Sequence, residues 1–150
     1  MKLAQALTER ADLQKRIEQL RARLQINAKV QEGEQPAEEP AMLLEQLETA
    51  SAQLETLITR INLTNAAVTD GGESLTALLA RRDCLKQKVS ILRDFAAAAS
   101  ATVMRGTRSE IKIKSTVPVA SLQKQVDDLA RRLRELDARI QALNWTTELM

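Results

Sequence analysis

Apolar residues recur along most of this chain at alternating steps of three and four, the spacing that stacks side chains on one face of an α-helix. Between residues 3 and 28 the row is Leu3, Ala6, Arg10, Leu13, Ile17, Leu20, Leu24 and Asn27, with six of its eight places apolar. A second row, within residues 41–68, runs Leu43, Leu47, Ala50, Leu54, Leu57, Ile61, Thr64 and Val68. The third, within 74–99, runs Leu75, Leu78, Arg82, Leu85, Val89, Leu92, Ala96 and Ala99. The fourth, within 118–144, is apolar throughout: Leu122, Val126, Leu129, Leu133, Leu136, Ile140 and Leu143. These rows predict four helices of nearly equal length, each roughly 40 Å at about 1.5 Å per residue.

The breaks between the rows are punctuated as helix ends require. QEGEQPAEEP, residues 31–40, places Pro40 where a first helical turn needs no N–H, and Glu38 and Glu39 where the helix dipole favours negative charge. TDGGES, residues 69–74, offers two glycines that accept positive φ and a Glu-Ser pair that can open the next helix. Short connections make sequential helices antiparallel neighbours, and rows with a three–four step imply shallow, left-handed, coiled-coil-like packing. The expected fold is all-α: a single domain over residues 1–150, formed as an up-down-up-down four-helix bundle. Helix 3 carries a second apolar row (Leu79, Cys84, Ile91, Phe95), and Leu7, Leu44, Ile58 and Leu63 lie off the main seams. Such surplus apolar surface predicts burial against another copy, hence a homo-oligomer.

The third connection breaks the pattern. From Ser100 to Val117 the chain is long for a bundle turn, and it contains RGTRSEIKIKSTV, residues 105–117. Ile111 and Ile113 alternate with Lys112 and Lys114, which predicts an extended segment over 110–116. A lone strand must pair its backbone, either with Val103-Met104 turned back at Gly106 or with its copy in another subunit. The candidate interface is therefore Arg105, Arg108, Glu110, Ile111, Lys112, Ile113 and Lys114. In the expected bundle this basic connection shares an end with the first connection, and residues 31–59 hold seven Glu and no Lys or Arg. Opposite charge would let the two dock, within or between subunits; the alternative is two solvated loops whose charges meet only by chance, since exposed pairs contribute little.

Composition then removes most activities. With no His, zinc sites of the usual kind, Ser-His-Asp triads and Cys-His pairs cannot be built. The single Cys84 excludes an intramolecular disulfide and lies on a helix flank, where a thiol is structural. Asp127-Asp128 point apart on their helix, and Gly71-Gly72 lack the spacing and the Lys-Ser/Thr of a phosphate loop. No enzyme, no metal and no cofactor are expected. The net charge of +2 is not that of a dedicated nucleic-acid binder, so that partner is left to the local patch at 105–114. No stretch has the length of a membrane span, and MKLAQALTERADLQ lacks the apolar core of a signal peptide, so the expected location is cytoplasmic. Two further features stand out. Asn62, Thr64 and Asn65 crowd the end of helix 2, where a side-chain network could fix register. Trp145 sits just past helix 4 in LNWTTEL, placed either to cap the bundle or to anchor a partner.

Several phrases together, ALTERADLQKRIEQLRARL, NAKVQEG with PAEEP, INLTNAA, RSEIK with STV, LQKQVDDLA and LNWTTEL, resemble an uncharacterised family of small bacterial proteins, some of which carry the label septicolysin. The resemblance implies an all-helical, oligomeric fold of unassigned function and brings no catalytic or binding residue with it. A lysin would need segments able to insert as a barrel or as apolar helices, whereas these helices have charged outer faces. The expected function is a non-enzymatic, self-assembling role; binding of a nucleic acid or another anionic surface through 105–114 is one alternative, and a septicolysin-type lysin, implied by the family label alone, is the other.

Overall fold

The computed structural model describes residues 1–101 and 112–150. Four helices account for most of them: α1 (Leu3–Ile26), α2 (Pro40–Ala67), α3 (Leu75–Ser100) and α4 (Val119–Thr146). Each lies within two residues of its expected bounds, as helix ends do when fraying competes with capping. A small antiparallel sheet, β1 (Thr69–Asp70) and β2 (Glu73–Ser74), joins α2 to α3. Gly71 and Gly72 turn it with φ of 60° and 84°, the pair of positive φ values that tight hairpins of type I′ need.

Among the described residues the β segment lies between helices 2 and 3, and none is found in the helix 3–4 connection, where one is expected. Residues 112–117 form no strand, and Arg105, Arg108, Glu110 and Ile111 lie outside the described residues. The physical reason is local. Ser115 Oγ donates to the Val117 carbonyl at 2.9 Å, and the Leu122 amide donates to the Pro118 carbonyl at 3.0 Å. Those bonds turn the chain into α4 from Ser115 onward.

The chain divides into two compact units. Unit 1 comprises residues 1–74 and 142–150. In it α1 and α2 form an antiparallel pair: Leu20 packs with Leu43 and Ala50, and Ile17, Leu24 and Leu47 cover that cluster. Most buried places recur at a seven-residue step, with Leu3 and Ile61 buried between them. Ala6, Leu13, Leu20 and Asn27 are buried along one helix and its cap, and Leu43, Ala50, Leu57 and Thr64 along the other. Small Ala at two of these places lets the helix axes approach, Leu fills four, and the polar Asn27 and Thr64 end the rows, so the core is aliphatic and thin. Pro40 opens α2, with the Leu43 amide bonded to the Glu39 carbonyl at 3.2 Å.

Unit 2, residues 75–141, holds α3 and the greater part of α4. These are antiparallel as well: Arg82, early in α3, faces Asp137, late in α4, at 3.8 Å. Leu75, Leu78, Val89 and Ala96 are buried on α3, and Val126, Ala130, Leu136 and Ile140 on α4. The α3 seam is interrupted by the half-buried Arg82, which engages the carboxylates of Asp83 and Asp137. Beside that interruption Leu85 stays only half-buried, and a groove remains.

Candidate interaction surfaces

Three features of the surface are built well enough to bear on function, and the first is where the chain ends meet. Lys2 and Glu148 form an antiparallel bridge, with the Leu3 amide donating to the Thr147 carbonyl at 2.9 Å and the Leu149 amide to the Met1 carbonyl at 2.8 Å. The Met150 amide donates to Thr64 Oγ1 at 3.0 Å, and Arg60 Nε donates to the Met150 carbonyl at 2.7 Å. Thr64 is fully buried and passes its own proton to the Arg60 carbonyl at 2.8 Å. Glu148 meets Lys2 Nζ at 2.6 Å and the terminal ammonium at 3.1 Å. The hydrogen bond from Lys2, then the one from the chain's own N-terminus, hold its carboxyl below the ordinary value. Met150 is therefore bonded to α2, and residues 1–3 to residues 146–149, where chain ends usually fray.

The second feature is the turn between α1 and α2. Asn27 is buried; its Nδ2 donates to the Arg23 carbonyl at 2.9 Å and its Oδ1 accepts the Glu38 amide at 3.0 Å. The Arg23 guanidinium then grips the Glu38 carboxylate, with Nε 2.9 Å from Oε2. This bond lowers the Glu38 pKa and raises that of Arg23. Glu38 is thus occupied within its own turn.

The third feature is charge. Unit 1 carries thirteen Asp and Glu against eight Lys and Arg, a net −5; unit 2 carries seven against fourteen, a net +7. The near-neutral total conceals a strongly polar molecule. On unit 1 the outer face of α2 presents Leu44, Glu45, Glu48 and Glu55, all exposed. On unit 2 the groove between α3 and α4, about 450 Å³ in volume, is floored by Leu85, Leu129 and Leu136 and edged by Arg81, Arg132, Arg139 and Glu135. Nearby, Asp128 is held between Arg131 at 2.5 Å and Arg132 at 3.0 Å, and its pKa is lowered chiefly by the Arg131 hydrogen bond.

A model of a family of unknown function (DUF6847) matches residues 10–149. The chain belongs to that family. Among solved structures it is similar to a functionally unknown conserved protein from Corynebacterium diphtheriae, with 40% identity, a TM-score of 0.94, and coverage of 100% of this chain and 99% of that one. No curated protein matches. None of these comparisons attaches the septicolysin label.

Lys112, Ile113 and Lys114 are exposed. Trp145 lies inside α4, not past it, and is 65% exposed, so its ring does not cap a core. Of Asn62, Thr64 and Asn65, Thr64 is buried and bonded, Asn62 is exposed and Asn65 half-buried. Among the described residues, no group of three or more Cys, Asp and Glu could hold a metal, and no helix is long and apolar enough to cross a membrane. Sequence reasoning missed the groove and the clasp of the termini. Arg82 in an apolar seam was the signal for the first. Residues 147–150 lie beyond the last periodic row, so nothing signalled the second.

Proposed function

We propose that this protein is a non-enzymatic, cytoplasmic helical scaffold that assembles with copies of itself. The observation that supports this reading is the position of its aromatic residues. The chain has one Phe and one Trp, and both are outside: Phe95 is 43% exposed and Trp145 is 65% exposed, while the buried hydrophobic residues are all aliphatic. Aromatic rings add most to a core when buried, and they are enriched where proteins meet. Ile91, 59% exposed, lies one turn before Phe95 on the same face of α3, and the exposed thiol of Cys84 lies two turns earlier.

Sedimentation velocity over a wide concentration range tests the proposal. An oligomer that dissociates on dilution is expected, together with a blue shift of the single Trp emission as copies associate. Phe95→Ser is expected to weaken the assembly. A monomer at the highest concentration reached refutes it.

A second reading, binding of a nucleic acid or other anionic surface, gains from the exposure of Lys112 and Lys114 and from the net +7 of unit 2. Retention of a labelled oligonucleotide that falls steeply with salt would favour it. Equal retention after Lys112 and Lys114 are replaced by Ser would remove those residues from it.

A further inference from the structure

We propose that the Arg-edged groove of α3 and α4 receives the acidic outer face of α2, presented by Glu45, Glu48 and Glu55, from a second copy of the chain. The inference rests on the self-assembly reading and says which surfaces would meet.

Charge complementarity carries it. The groove has three Arg and one Glu on its edges, a local excess of positive charge within a unit of net +7. The α2 face has three Glu and belongs to the segment 31–59, in which no Lys or Arg occurs. Spacing agrees. Glu48 and Glu55 are seven residues apart on one helix, as are Arg132 and Arg139 on another. Each pair spans roughly 10 Å at about 1.5 Å per residue. Shape agrees too. Leu44 lies four residues before Glu48 on the same face and is exposed, while Leu85, Leu129 and Leu136 offer an apolar floor. An amphipathic helix laid in such a groove places its apolar residue on the floor and its carboxylates against the rim. Attraction between the Glu carboxylates and the positive rim, whose Arg132 also meets Asp128 at 3.0 Å, then favours this register.

Nucleic acid suits this groove less well. Its floor is aliphatic, Glu135 would face phosphate, and none of its lining residues is an aromatic that could stack on a base. Each copy carries both surfaces, so every copy can both give and receive the contact.

The test is a charge swap across two variants. One carries Glu45→Lys, Glu48→Lys and Glu55→Lys; the other carries Arg132→Glu and Arg139→Glu. Circular dichroism confirms that each is folded, and Arg132→Gln with Arg139→Gln serves as a milder version should the Glu pair disturb α4. Like charges set face to face are expected to weaken self-association of each variant at least about tenfold. An equimolar mixture of the two restores assembly, because each groove then finds a face of opposite sign. Assembly of either variant as strong as that of the parent overturns the inference and leaves self-assembly standing. A parent chain that is monomeric at every concentration overturns both. Binding of a single-stranded oligonucleotide that depends on Arg132 and Arg139, with assembly unaffected by their loss, assigns the groove to nucleic acid and overturns the inference as well.

Discussion

Leu149 is one residue from the end of the chain, yet it is only 8% exposed and its amide is bonded to the Met1 carbonyl at 2.8 Å. Leu149→Ala removes about three carbons from that site. At about 0.8 kcal/mol per buried CH₂ the transfer loss is roughly 2.4 kcal/mol. A rigid core site would add a cavity cost that carries such changes toward ~5 kcal/mol, but a chain end can settle into the space, so about 2–3 kcal/mol is expected. For a domain of this size that lowers Tm by about 5–10 °C. Urea unfolding followed by circular dichroism at fixed protein concentration measures it, the concentration being held because association shifts apparent stability. Thr64→Val is the companion variant. It deletes the oxygen that accepts the Met150 amide at 3.0 Å, and about 1 kcal/mol is expected from one hydrogen bond. Because both changes loosen the same terminal segment, the double variant should lose less than the two singles together. If Leu149→Ala lies within about 0.5 kcal/mol of the parent, which is the range of an ordinary surface change, the termini are not holding the fold and the reasoning fails.

Two further outcomes follow from the same contacts. Asn27→Ala removes both a donor to the Arg23 carbonyl and the acceptor of the Glu38 amide, and about 1–2 kcal/mol should be lost, with faster hydrogen exchange at Glu38; unchanged exchange there would contradict it. The carboxyls of Glu38, Asp128 and Glu148 are all held below their ordinary values by hydrogen-bonded Arg or Lys. A depressed folded-state pKa gives stability that is complete above the unfolded value and is lost as pH falls through the folded one. The urea midpoint should therefore be flat above the ordinary carboxyl value of 4.5 and fall below it. Glu148→Gln should flatten that fall, and a midpoint that rises on acidification would refute the pairing.

What could be read from the sequence was whatever burial alone decides. A row of Leu and Ala at steps of three and four has one low-energy placement, against another such row, and α1 and α2 pair in that way. What could not be read depended on partners distant along the chain. IKIK alternates like a strand, but alternation states only a preference, and a strand exists only where another backbone meets it. TDGGES contains no alternation at all, since two-residue strands are too short to show a period, and yet it holds the hairpin. Trp145 is expected beyond helix 4 because the apolar row ends at Leu143; the helix runs on to Thr146, with the Thr147 amide closing its last turn on the Leu143 carbonyl at 2.9 Å.

The most informative residues were the polar ones standing in apolar rows. Asn27 ends the seven-residue row of Ala6, Leu13 and Leu20, and Thr64 ends that of Leu43, Ala50 and Leu57. A polar side chain at a core position costs stability unless it is bonded, so each such place marks a backbone group brought there from elsewhere. Asn27 receives the Glu38 amide and sets the turn into α2. Thr64 receives the Met150 amide and ties down the C-terminus. Arg82 is the third case, and it differs because a guanidinium is too large and too well hydrated to be enclosed in a Leu seam. It reaches the carboxylates of Asp83 and Asp137 and stays half-exposed, and beside it the two helices leave the leucine-floored groove unfilled. In the first two places the irregularity completes the fold. The third is met by ion pairs instead of enclosure, and on the same helix pair the groove edged by Arg81, Arg132 and Arg139 leaves apolar surface open, which makes it the surface on which to test for a partner.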